Sequence, residues 1–289
     1  MFYVDLAVSG IVFGCMYALM AVGLTLVYGL LRILHIAHAA VFALGAYVTV
    51  LVANASGSLL LGFLAASVVT PLCGMAIYRV LYQPLLHYRP DVPMIASIGL
   101  LVFMQDGFRI LFGEQGVTFV KNPLAIESVE IAGITLTFAQ LAVLIVTVLI
   151  FLALHLFTTR TRIGVAWRAT VSNPRIAASF GVDAIRVRYL NFAIGSALAG
   201  IAGGLIALLN NFVDPTIGYV VSYKALAIIV LGGLGSVRGT LIASLVLALI
   251  ESYGTIFVGS YLNRDGIAFL ALILILMARP QGFTGARTA

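Results

Sequence analysis

Nine apolar runs separated by short polar breaks constrain this chain more than any other feature. They occupy roughly residues 6–30, 37–54, 58–80, 93–113, 138–157, 189–211, 223–234, 239–258 and 265–279. A helix needs about 20 predominantly apolar residues to cross the hydrocarbon core of a bilayer. Of the 289 residues, 62% are hydrophobic and 9% charged, against about 25% charged in an ordinary soluble domain. A surface with so little charge cannot be solvated by water. That excludes a soluble enzyme, a disordered chain and a nucleic-acid-binding domain. The expected fold is all-α: a polytopic transmembrane helical bundle of about eight to nine membrane segments. It fills residues 1–289 as a single transmembrane domain, because no linker or low-complexity stretch divides the chain.

The run 223–234 is too short to cross alone, since as a helix it spans under about 20 Å. Gly232-Gly233-Leu234-Gly235 should break it. A half-helix that stops inside the protein is tolerated where it is buried or lines a cavity. Orientation follows from the basic residues. With the N-terminus outside and every run changing sides, Arg32, Arg79, Arg89, Arg160, Arg162, Arg168, Arg175, Arg186, Arg188, Arg238, Arg279 and Arg287 fall on the cytoplasmic side. Lys121, Lys224 and Arg264 fall outside, and Arg109 lies within a helix. This positive-inside bias predicts N-out, C-in. It also accounts for the net charge of +6, so no nucleic-acid partner is expected. No Lys or Arg precedes Arg32, and the first run exceeds a signal-peptide core, so the first helix is read as retained.

No catalytic constellation is present. The two lysines, Lys121 and Lys224, do not follow a glycine, so there is no nucleotide-binding P-loop. His35 and His38 are three apart without a nearby carboxylate and read as polar residues at a cytoplasmic helix start rather than a metal site. Cys15 and Cys73 are isolated. Asp106 and Arg109 share a helical face and are expected to pair at the outer interface. Glu251 sits within the run 239–258 with no basic residue one turn away. It reads equally as a functional intramembrane carboxyl and as one bonded to a neighbouring helix. A proton relay needs more than one such group, which argues against a proton-coupled carrier.

Small residues recur at helix-packing spacing. Gly10 and Gly14, and then Gly195, Ala199, Gly200, Gly203 and Gly204, are expected to let backbones approach closely. Residues 21–50 and 223–252 share an order: apolar stretch, glycine-containing break, small-residue helix. Paired interrupted segments point to a substrate route in transporters. The outer connection 114–137 contains the alternation Val129-Glu130-Ile131-Ala132-Gly133-Ile134-Thr135-Leu136, which predicts a short strand or hairpin.

The cytoplasmic connection 158–188 is arginine-rich. Within it, Asn173 suits a helix N-cap, Pro174 the first helical position and Gly181 the residue past the end. A helix of about two turns is therefore predicted over 174–180. Ile176 and Phe180 share a face, with Ala177 alongside. Such a face docks on membrane lipid or inserts into a partner.

The run Gly14-Cys15-Met16-Tyr17-Ala18-Leu19-Met20-Ala21-Val22-Gly23-Leu24-Thr25-Leu26-Val27-Tyr28-Gly29 resembles the opening of Liv-type permeases, the membrane subunits of branched-chain amino-acid ABC importers. His38 and Gly45-Ala46-Tyr47 continue the pattern. Arg162-Ile163-Gly164 through Asn173-Pro174 to Gly181-Val182 is similar to the family's coupling loop. Lys224-Ala225-Leu226 through Gly232-Gly233-Leu234-Gly235 to Gly239, and Pro280-Gln281-Gly282, resemble its C-terminal part.

The resemblance implies one of two permease subunits, usually in a heterodimer. Two cytoplasmic ATPase subunits would bind ATP and Mg, this chain holding no cofactor, and a periplasmic binding protein would deliver the solute at the bacterial inner membrane. Asn173, Pro174, Arg175, Ile176, Ala177, Phe180 and Gly181 would form the ATPase-coupling element. Tyr28, His38, Gly232, Gly233, Gly235 and Glu251 are the candidates for the translocation path. Ala39 and Ala40 follow His38 where the family commonly has a glycine and then an acidic or polar residue. That departure weakens transfer of the solute, since relatives also carry urea, amides and aromatic acids. The rival class is an ion-coupled secondary transporter.

Overall fold

The computed structural model describes residues 2–120, 124, 127–131, 134–278 and 282–283. The helices, in chain order, are α1 (Phe2–Leu31), α2 (His38–Ser56), α3 (Leu59–Leu85), α4 (Asp91–Phe112), α5 (Phe138–Arg160), α6 (Arg162–Ser172), α7 (Pro174–Ser179), α8 (Ala184–Asn210), α9 (Ile217–Gly232), α10 (Val237–Val258) and α11 (Arg264–Ala278). Seven of them, α1 to α5, α8 and α10, are long and apolar enough to cross a membrane. The apolar helices α9 and α11 have 16 and 15 residues. Together these match the nine apolar runs, and the protein is an all-α polytopic bundle. Arg279, Arg287, Lys121, Pro280 and Gln281 lie outside the described residues.

Helix α1 is the axis of the bundle, and most of its length is buried. It packs antiparallel on α10, with Gly10 against Leu249, Gly14 against Leu245 and Thr25 hydrogen-bonded to Thr240 at 2.8 Å. The glycine spacing thus sets the closest approach of these helices. On its other side Gly23 faces the Gly195 backbone of α8. Helix α8 then crosses α2, where a β-carbon on Gly45 would collide with the backbone of Gly200. By contrast, α4 and α5 bury little of their length and present apolar side chains such as Phe103, Ile110, Val148 and Leu149 outward, as lipid-facing helices do.

The chain leaves α1 through Arg32, which takes a left-handed backbone conformation (φ 57°). It then folds back along α1. His38 reaches the level of Gly23, so α2 starts roughly two turns short of the end of α1. His38 opens α2, in keeping with its reading at a helix start, and both His35 and His38 are buried. The reason is local. Their rings sit edge-on with centroids 5.6 Å apart, and His35 Nδ1 shares a hydrogen bond with Tyr82 Oη at 2.7 Å. Tyr82 is presented by a π-helical turn (Tyr78–Tyr82) in α3. Among the described residues no three His, Cys, Asp or Glu cluster as metal ligands would.

At the opposite end, β2 (Ser128–Ile131) pairs antiparallel with β3 (Ile134–Thr137), as the alternation predicts; Ala132 and Gly133 lie outside the described residues. A second pair, β1 (Val117–Thr118) with β4 (Phe212–Val213), is not legible from so few residues. Asp106 and Arg109 pair at 3.3 Å, both partly exposed.

Gly45→Ala should lower the midpoint of thermal unfolding in detergent, because the added methyl group collides with the Gly200 backbone, an overpacking that costs about 1–3 kcal/mol. Gly99→Ala in α4, where a β-carbon meets nothing within 4 Å, should leave the midpoint unchanged or raised.

Candidate functional site

The element predicted to couple to a partner is built with short-range precision. Asn173 Oδ1 accepts from the backbone N–H groups of Arg175 and Ile176, both at 3.1 Å, and Pro174 occupies the first helical position. At the other end Gly181 takes φ 80°. Its N–H donates to Ala178 O at 2.9 Å, and Val182 N–H donates to Ala177 O at 3.1 Å. This double closure is a Schellman motif. Asp183 then caps α8 by accepting from Ile185 and Arg186 N–H. So α7 is a short helix fixed at both ends. Phe180 is 83% exposed and Ile176 57% exposed. Ala177 is buried and faces the protein, which corrects its assignment to the outward face.

The arginine-rich connection is more ordered than the sequence suggested. Helix α5 continues to Arg160, and α6 fills residues 162–172, capped by Thr161 Oγ1 accepting from Gly164 N–H at 2.9 Å. Trp167 on α6 donates its indole N–H to Asn191 Oδ1 at 2.9 Å. Asn191 on α8 donates in turn to Leu26 O of α1, also at 2.9 Å. Sequence reasoning missed Asn191. Its signal was a lone amide in an apolar stretch, which in a bilayer must find partners.

The candidate path residues divide into groups. Gly232 and Gly233 close α9, and Gly235 (φ 85°) packs against Gly29 and Tyr28, so the two glycine breaks meet face to face. A β-carbon at Gly232 would lie 2.5 Å from Thr240 N, at the crossing with α10. His38 stands apart, buried between α1 and α2. Glu251 is also apart, in the half of α10 remote from that break.

Glu251 is completely buried, and its partners come from three helices. Lys224 Nζ of α9 lies 3.0 Å from Oε1, Tyr17 Oη of α1 donates to Oε2 at 2.9 Å, and Arg264 Nε of α11 lies 3.3 Å from Oε2. Lys224 also donates to Tyr17 Oη at 2.9 Å and meets Asp265 at 2.9 Å. The Arg264 guanidinium stacks 3.8 Å over the Phe13 ring. Of the two readings of Glu251, the geometry therefore favours a carboxyl bound to neighbouring helices. Lys224, counted by sequence among the basic residues outside, is buried in the middle of α9. There Glu251 and Asp265 neutralise its charge.

Comparison with known proteins now decides the family. The family model described as the permease component of branched-chain amino acid transport systems matches residues 6–278. The chain belongs to this permease family. It is a multi-pass membrane transport subunit, not an enzyme. It is 32% identical to the high-affinity branched-chain amino acid transport system permease protein BraD of Pseudomonas aeruginosa, over 98% of this chain and 96% of the relative. It is 31% identical to the corresponding permease protein LivH of Escherichia coli, over 99% and 96%. The Escherichia coli permease protein LivM is 27% identical over 92% of this chain and 67% of its own length. No solved structure matches the chain.

For this permease, Glu251→Gln should destabilise by about 3 kcal/mol, because it leaves the buried Lys224 ammonium with Asp265 alone and removes the carboxylate that Arg264 meets. Lys224→Met combined with Glu251→Gln should recover at least half of that loss. Chemical unfolding in detergent measures both. Equal stability of the single variant and wild type would show that the network carries no buried charge.

Proposed function

We propose that this chain is one of two permease subunits of an ATP-driven importer that carries amino acids, branched-chain ones foremost, across the bacterial inner membrane. The family membership and the names of its relatives support the solute class. That two permease proteins of the Escherichia coli system, LivH and LivM, both match this chain supports a second, non-identical permease as partner. Two ATPase subunits holding ATP and Mg, and a periplasmic binding protein, complete the assembly in this reading. The N-terminus lies outside and the C-terminus in the cytoplasm. In support, Arg32, Arg79, Arg89, Arg160, Arg162, Arg168, Arg175, Arg186, Arg188 and Arg238 all gather at the end of the bundle where α1 stops and α7 projects.

One observation carries the coupling role. An apolar face, Ile176 and Phe180, is exposed on a helix locked at both ends outside the membrane-spanning segments. Exposed aromatic surface on a rigid helix is suited to a pocket in a partner. Closure of the ATPase dimer pushes α7 and α6. The Trp167–Asn191–Leu26 hydrogen bonds pass that displacement to α8 and α1. The facing breaks at Tyr28–Gly29 and Gly232–Gly235 then form part of the moving wall of the path, while Glu251 anchors the opposite half. An ion-coupled carrier finds less support, since Glu251 is already neutralised by Lys224 and Arg264.

Phe180→Asp should cut solute uptake and substrate-stimulated ATP hydrolysis by at least about tenfold, as loss of an interfacial anchor does. Phe180→Leu should retain most of both. The pair of permease subunits should still co-purify with either variant. Uptake by Phe180→Asp at the wild-type rate would sink the coupling role of α7.

A further inference from the structure

A cleft of about 380 Å³ opens between α5 and α10, floored by Leu26 of α1 and closed at the arginine-rich end by α6. Its two halves differ in chemistry. The deeper half is apolar: Phe151 and Leu154 from α5 face Leu241 from α10. The mouth carries Arg168 and Arg238, with His155 and Trp167 beside them. No Asp or Glu lines the cleft. Among the described residues neither Arg168 nor Arg238 forms an ion pair, and both are exposed.

The apolar half is continuous with lipid-facing surface. Leu152 and Leu156 on α5, and Ile242 and Leu245 on α10, are exposed on either side of it. An occupant must therefore present an anion at the end of the bundle and hydrocarbon along the membrane. We infer that this cleft binds an anionic phospholipid, its phosphate between Arg168 and Arg238 and an acyl chain against Phe151, Leu154 and Leu241.

Charge complementarity selects the headgroup. Two guanidiniums without a carboxylate favour a net negative lipid, and the cleft offers no carboxylate to pair with a choline ammonium. Basic pockets between membrane helices bind acidic headgroups on this principle. Trp167 fits the same place, since tryptophans settle at the level of the headgroups. Location gives the lipid a consequence. Trp167 is also the indole that holds Asn191 and, through it, α1. A lipid seated here braces α6 against α5 and α10, beside the coupling helix. The inference concerns lipid binding and holds whichever solute the chain carries.

Trp167 is the chain's single tryptophan, and it serves as the reporter. The complete permease assembly is reconstituted in phosphatidylcholine vesicles containing a minor fraction of lipid brominated on its acyl chains, either phosphatidylglycerol or phosphatidylcholine. The emission of Trp167 is taken as the difference between wild type and Trp167→Phe. Brominated phosphatidylglycerol should quench it as if enriched at the cleft on the order of tenfold over its bulk fraction; brominated phosphatidylcholine should show no enrichment. Arg168→Gln with Arg238→Gln should make the two lipids equal. Arg162→Gln with Arg186→Gln, two other exposed arginines at the same end, should preserve the difference and so exclude a general surface-charge effect. Equal quenching by both lipids in the wild type overturns the proposal. So does displacement of the quenching lipid by inorganic phosphate, which would assign the mouth of the cleft to a soluble anion.

Discussion

Lys224 and Glu251, 3.0 Å apart in the interior of the bundle, make the short helix α9 possible. Neither charge has water to return to. A lone ammonium or carboxylate in such a place costs several kcal/mol. Here each is shared: Lys224 between Glu251 and Asp265, and Glu251 between Lys224, Tyr17 and Arg264. The network therefore ties α1, α9, α10 and α11 at one depth. It draws its partners from opposite ends of the sequence, so it forms only when the first and last parts of the chain have come together.

The fold around that network depends on backbone proximity more than on side-chain interlocking. Lipid tails are as apolar as leucine, so helices gain little from hiding hydrocarbon from lipid. Glycines at 10, 14, 23, 45, 195, 200 and 203 instead bring backbones or small side chains into contact along α1, α2, α8 and α10. Helices α1, α2 and α8 are the most buried of the membrane-spanning helices, whereas outward-facing α4 carries Gly99 and Gly107 with nothing near them and α5 carries no glycine. Where a glycine sits against a neighbour's backbone distinguishes the core of this bundle from its lipid-facing rim.

Much of this was legible in the sequence because bilayer thickness and helix grammar act locally. Each of the nine apolar runs became a helix, and Asn173, Pro174 and Gly181 wrote both ends of α7. Long-range partnerships were illegible. Lys224 and Glu251 are 27 positions apart in sequence and Tyr17 more than two hundred from either, so spacing could not pair them. The inward face of Ala177 and the burial of His35 and His38 depend likewise on which neighbour arrives. At the two breaks the sequence showed a shared order of segments; that Gly29 and Gly235 lie against each other, with Gly235 at a positive φ that favours glycine, depends again on long-range packing.

These two kinds of contact divide the molecule mechanically. Charge pairs in a medium of low dielectric lose much energy for small displacements, so the Glu251 half of α10 resists relative movement of its neighbours. The opposite end is held by neutral hydrogen bonds, Trp167 to Asn191 and Asn191 to Leu26, and by glycine contacts that let backbones slide without unlocking side chains. In the proposed coupling, a push delivered at α7 would meet that end first. In the proposed mechanism, α1 and α10, pinned near Glu251 and joined toward Gly29 by the neutral Thr25–Thr240 hydrogen bond, would tilt about the charged anchor rather than translate. Such a lever would convert a displacement at α7 into opening or closing of the space between the two glycine breaks.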